Sequence, residues 1–249
     1  MIKFFRKIRQ KTLTENKLGK YLTYALGEII LVVIGILIAL SINNWNEERQ
    51  ATNLANENYL NLLTSLKQDS ITVHKTIERN MVGLGALRRI IPLKQNTELL
   101  ALTEENLNKY LMQFSYAARS FIPKSGVYNL LTSNNGFDLI KSDKIKSQLI
   151  TLYDYQYKAY EDLDSQIDNK YHNQLGSIMR EKLGIVTEFA PELSIVQSTT
   201  SALFEKHYFE LASESRDMYG MLSFNKNNLV QIEQSINELI ALIRDEIRK

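Results

Sequence analysis

Apolar positions run along this chain in two rhythms. From Leu22 to Ile42 they are nearly continuous, and Glu28 is the one charged side chain among them. About 21 residues coiled as a helix reach roughly 31 Å, the thickness of a bilayer's hydrocarbon core. Beyond Trp45 the rhythm is that of amphipathic helices. Ala51, Ala55, Tyr59, Leu62, Leu66, Val73 and Ile77 make one stripe, interrupted at Ser70. No Pro or Gly stands between Gly35 and Gly83, so the apolar helix is predicted to continue as a stalk to about residue 80.

Gly83 and Gly85 then predict a break. A shorter helix follows through LRRII to Pro92, and another opens at Thr103, an N-cap for EENLNKYLMQF. Arg119 to Ser125, with Pro123 inside it, reads as a loop, and Ser133 to Gly136 as a turn. A long helix is expected from Ser142 to Leu183, with Ile145, Leu149, Leu152, Tyr153, Tyr160, Leu163, Ile167 and Tyr171 on its apolar face. Gly184 to Ser198 is the least helical stretch and has room for a short extended piece. Two helices close the chain, about 199–222 and 226–247. The last has a 3-4 spacing, Leu229, Ile232, Ile236, Leu239, Ile243 and Ile247, which suits a bundle seam or a short coiled-coil face. The fold class is all-α: one transmembrane helix continuing into a long stalk helix, then an extracytoplasmic helical bundle. The boundaries are 1–20 for a basic segment, 21–45 for the span, 46–80 for the stalk and 81–249 for the bundle.

Charge adds direction to this picture. Lys3, Arg6, Lys7, Arg9, Lys11, Lys17 and Lys20 precede the span against the single acid Glu15, while Arg49 is the one basic residue close behind it. The positive-inside rule keeps the N-terminus in the cytoplasm and exports the rest. Tyr21 and Tyr24 on one side and Trp45 on the other are the expected interface anchors. The run is longer than a usual signal core, and no A-x-A site follows it, so an uncleaved signal anchor is expected. Ahead of it, Ile2, Phe5, Ile8 and Leu13 share one face among basic residues. That segment is either an amphipathic helix on the anionic inner leaflet or a basic tail that sets topology. Nucleic acid is not an expected partner, because so short an arm has no supporting fold.

Glu28 calls for an explanation of its own. At 100° per residue, Glu28, Gly35 and Ala39 fall within about 40° of one another around the helix. The small residues let another helix approach, and a carboxylate in a bilayer faces a protein partner or water. Three readings stand: packing against another transmembrane helix, snorkelling toward Lys20 and the headgroups, and proton or ion coupling. Packing is carried forward.

The words of the N-terminal region are themselves informative. MIKFFRKIRQK, then ENK, GEIILVVIGILIAL and INNWNEE, resembles a family of single-pass membrane proteins of flavobacteria and other Bacteroidota, a domain of unknown function. That likeness covers about 48 residues. A weaker one runs through SNNGFDLIKSDKIKSQLITLYDYQY, from Ser133 to Tyr157. Asn134 and Asn135 stand where a shorter Ser-Gly turn is expected, and Ser41 where Gln is common. The resemblance implies an inner-membrane protein of a Gram-negative bacterium with a helical periplasmic domain, and it brings no catalytic residues.

Chemistry is sparse. The chain has no Cys, which excludes disulfides, thiolate metal sites and cysteine nucleophiles. Its three His, His74, His172 and His207, fit no metal or catalytic spacing. Asp168 and His172 are too few for a metal and are expected to form a surface ion pair. Glu161, Asp164 and Asp168 read as a solvated acidic ridge, and Tyr153, Tyr157 and Tyr160 as core or groove lining. No cofactor or metal site and no enzymatic activity are expected. The function expected is a membrane-anchored protein-interaction or scaffold module, joined to a partner or a second copy through its transmembrane and C-terminal helices. The other class in view is a ligand-sensing domain that signals through a partner.

Overall fold

The computed structural model describes residues 18–92, 97–134, 136–185 and 199–248. Among the described residues the fold is all-α, with no strand. The chain divides into two compact units, Met1–Ala55 and Asn56–Lys249.

Helix α1, Leu18–Ile90, is unbroken over 73 residues. It carries the one stretch among the described residues long and apolar enough to cross a membrane, and that stretch is exposed. The glycine pair does not end it at about residue 80. Gly83 is buried where α1 meets the segment 113–118: a Cβ there would stand 2.8 Å from the Ala117 nitrogen. It is a close-approach glycine inside a helix. Gly85 is exposed with nothing within 4 Å of its Cβ position, so it weakens the helix without breaking it.

Short elements follow: α2, Thr97–Leu100, then α3, Glu104–Met112, which tightens into a 3-10 turn, Gln113–Ala118. Thr103 caps α3 as its sequence suggests, with its side chain accepting from the Asn106 N–H. A segment without helix or strand, 119–125, leads to α4, Gly126–Ser133, and a 3-10 turn, Gly136–Leu139. Asn135 of the expected turn lies outside the described residues.

Residues 143–182 are helical throughout, but not uniformly α. Ser142 caps α5, Asp143–Ile150; a π-helical turn, Thr151–Gln156, leads into α6, Tyr157–Lys170, and two more π turns, Tyr171–Leu175 and Ile178–Lys182, finish the rod. Register explains them. The buried side chains run Ile145, Leu149, Leu152, Tyr153, Tyr157, Tyr160, Ile167, Tyr171, Leu175, Met179 and Leu183. On an unbroken α-helix Leu183 would be turned about 200° from Ile145. Each π turn takes up an extra residue and so offsets about 100° of this drift. Gly184 then stops the helix in the left-handed region, φ 66°, with the Ile185 N–H donating to the Met179 carbonyl at 2.8 Å. Most of the stretch expected to be least helical and to have room for a short extended piece, 184–198, lies outside the described residues, which resume at Thr199.

The last element is a single helix, α7, Ser201–Ile247, where sequence predicts two. The expected break near Asn225 is absent because Asn225 is buried and its Nδ2 donates to Asp164 at 3.3 Å, a tertiary contact that overrides low helix propensity. The seam residues Leu229, Ile232, Ile236, Leu239 and Ile243 are buried within the bundle and Ile247 partly so, which selects the bundle-seam reading. Two apolar clusters make the core, one ending at Ile77, Tyr160 and Leu229, the other taking over at Ala86, Ile167 and Leu222. The buried Asn80 and Asn225 fall between them along the chain.

Candidate functional site

The apolar stripe of the second half of α1 is interrupted by a carboxylate that sequence reasoning passed over. Asp69 is fully buried. Its oxygens accept from the Lys124 backbone N–H at 3.1 and 3.2 Å, and Oδ2 accepts from the Tyr157 hydroxyl at 3.0 Å. One turn earlier, the Ser65 hydroxyl donates to the Lys124 carbonyl at 2.9 Å, and the Lys124 ammonium reaches Gln68. Ser65, Gln68 and Asp69 thus hold one residue of the segment 119–125 by its N–H, its carbonyl and its side chain. A buried charge is tolerated only when donors surround it, and these supply them.

A second pin lies three residues earlier in the segment. The Phe121 N–H donates to the Tyr160 hydroxyl at 2.8 Å, and that hydroxyl donates to Asp164 at 2.9 Å. The Phe121 ring is buried between Tyr157 and Tyr160, at centroid distances of 5.7 and 5.8 Å. The aromatic series continues through Tyr153, stacked on Tyr128 at 4.4 Å, and Tyr128 donates to Asp154 at 2.6 Å. So Tyr153, Tyr157 and Tyr160 are core, as their spacing suggested. Asp164 is no free member of an acidic ridge, since it accepts from Tyr160 and Asn225. Asp168 and His172 form the expected surface pair at 3.3 Å.

Electrostatics follow from this burial. Desolvation raises the Asp69 carboxyl above its ordinary value, against the downward pull of the Lys124 N–H, the Tyr157 hydroxyl and the Lys124 charge. Burial, then the Asp69 charge, pushes the hydroxyls of Tyr157 and Tyr153 far up, and burial with Asp164 does the same to Tyr160. Held neutral, the hydroxyls of Tyr157 and Tyr160 serve as hydrogen-bond donors, to Asp69 and Asp164. With Asp69 sealed from solvent and both oxygens engaged, the cluster holds backbone in place rather than presenting a reactive atom.

Of the residues singled out in the sequence, Glu28, Gly35 and Ala39 lie on exposed α1, and a Cβ at Gly35 would meet nothing within 4 Å. Tyr24 and Trp45 are exposed there too, with the Arg49 guanidinium 5.7 Å from the Trp45 ring. Lys20 and Tyr21 belong to the first turns of the same helix, while Lys3, Arg6, Lys7, Arg9, Lys11 and Lys17 lie outside the described residues. The Asp69 network was missed because its partners stand 55 and 88 positions away along the chain. A polar residue in phase with an otherwise apolar stripe was the available signal. No group of three or more His, Cys, Asp or Glu able to hold a metal occurs among the described residues.

A family model matches residues 28–181, more than half of the chain, and the chain belongs to that family, DUF6090, a family of unknown function. No curated protein and no solved structure matches it.

Proposed function

We propose that this member of DUF6090 is a membrane-anchored module that works by binding protein and performs no catalysis. The observation behind the reading is α1 itself. It offers a membrane-length apolar stretch that is not buried among the described residues, and its later turns, from Tyr59 onward, contribute to the core of the helical bundle. The basic residues from Lys3 to Lys20 orient the N-terminus to the cytoplasm beside anionic lipid, and the bundle faces the periplasm of a Gram-negative cell. Glu28, Gly35 and Ala39 form the face on which another transmembrane helix, from a partner or a second copy, packs closely. The structural use of Asp69 and the three tyrosines supports a binding role over a catalytic one.

Crosslinking in intact cells, followed by purification of the tagged chain from membranes, tests the reading. A reproducible crosslinked protein, or a self-crosslink lost on Glu28→Leu, is the expected result. A chain that stays free under crosslinking overturns it. Orientation is tested separately with a C-terminal tag on spheroplasts. Protease removes the tag if the bundle is exported, and a protected tag reverses the topology.

A further inference from the structure

Ile122 has 78% of its surface exposed, more than any other large apolar side chain among the described residues, the membrane-length stretch included. It stands in the segment 119–125 between two buried pins, Phe121 on Tyr160 and Lys124 on Asp69. Pro123 restricts it further, since a residue before proline is confined to extended backbone. A chain that buries a carboxylate and two tyrosine hydroxyls around one short segment fixes that segment's shape. The side chain so fixed points an unpaired apolar surface at solvent.

We infer that residues 119–124, RSFIPK, form a preformed docking knob with Ile122 as its anchor, for a second protein offering an apolar socket rimmed by carboxylates. The inference rests on the interaction-module reading above. Charge identifies the partner's rim: the segment carries Arg119 and Lys124, both exposed, and no acid. One apolar side chain and two cations are too little for a lipid surface, where stable anchoring needs far more buried apolar area. In a second copy the depression beside the knob, about 290 Å³ and lined by Asn61, Thr64, Ser65, Gln68, Gly126 and Val127, is not that socket, because it carries Lys124 and would set cation against cation. Rigidity gives the knob its use, because a side chain held in its bound position loses little freedom on binding.

The test places a photo-crosslinking residue at Ile122 of the full-length chain in its native membrane, and in parallel at Tyr155 and Phe224, which are 67% and 63% exposed. Adducts are mapped by mass spectrometry. The expected result is an adduct at position 122, at least tenfold over both controls, on a peptide of another protein that carries apolar residues next to Asp or Glu. Ile122→Ser should lower recovery of that protein at least tenfold without moving the thermal midpoint of the chain. Tyr160→Phe, which releases the Phe121 N–H, should lower the adduct yield severalfold; an unchanged yield overturns the preformed character. Adducts to lipid or to a second copy, or equal yields at all three positions, overturn the knob. If partners are recovered regardless of Ile122→Ser, the knob falls and the interaction module stands. If no protein is captured at any position and none co-purifies, both fall.

Discussion

Between Leu22 and Leu54 every large apolar side chain of α1 is exposed, whereas from Ala55 to Ile90 the same helix buries Tyr59, Leu62, Leu66, Val73, Leu87 and Ile90 almost completely. Backbone geometry is common to both stretches, and sequence alone decides the difference. Within the first, residues 22–42 are apolar on nearly every side and have the length of a bilayer; the second is apolar on one stripe and needs protein to cover it. Burial in the second stretch is also more exacting. It admits polar residues only where a partner is supplied, as Asp69 and Ser65 show.

One substitution made in both stretches gives the largest contrast. Leu66→Arg places an unpaired charge in the core and should cost on the order of 5 kcal/mol or more, abolishing the cooperative transition of the bundle by circular dichroism. Ile34→Arg should leave that transition intact in detergent. Its effect should be on membrane retention, weakened by about 2.5–3.5 kcal/mol on the insertion scale and read by carbonate extraction. If Ile34→Arg melts the bundle, the two stretches are not energetically separate.

Asp69→Ala comes next, at about 3–5 kcal/mol, because it strands the Lys124 N–H and the Tyr157 hydroxyl in the core. Denaturant titration would measure it, and a loss under 1 kcal/mol would show that the network is loosely held. A glycine pair gives a smaller contrast of opposite sign. Gly83→Ala should destabilise by about 1–3 kcal/mol through its 2.8 Å approach to Ala117, while Gly85→Ala should stabilise by up to about 1 kcal/mol.

The smallest effect is one of pH. Because Asp69 is raised in the folded state, that state takes up its proton first as pH falls. The stability of the wild type relative to Asp69→Asn should therefore be greatest below the ordinary aspartate value, about 4, and decline as pH rises through the raised one. A relative stability that grows with pH would mean the hydrogen bonds to Asp69 outweigh its desolvation.

Much of this architecture was readable in advance. Local signals were sound wherever they acted alone: Thr103 and Ser142 cap the helices expected of them, and the α7 seam is buried as its spacing suggests. Errors arose where a distant contact outvoted a local one. Gly83 looks like a breaker until Ala117 is seen beside it, and Asn225 looks like a helix end until Asp164 is seen to receive its amide. Asp69 is the same case at the candidate site, and so is Ile122, an ordinary loop residue until its neighbours are found pinned. The π turns had a trace in the sequence, a stripe drifting out of α phase, but a drift of that kind is visible only over several turns.

Those π turns bear on how relatives of this chain can be aligned and rebuilt. Helix interiors are normally where single-residue gaps are distrusted, yet 151–156 already holds the equivalent of an insertion. Removing one residue there would restore α geometry locally and leave the flanking turns, and the face that the downstream helix presents, in place. An alignment gap at that point is therefore physically sensible, and chimaeras joined there need the residue count of the downstream donor.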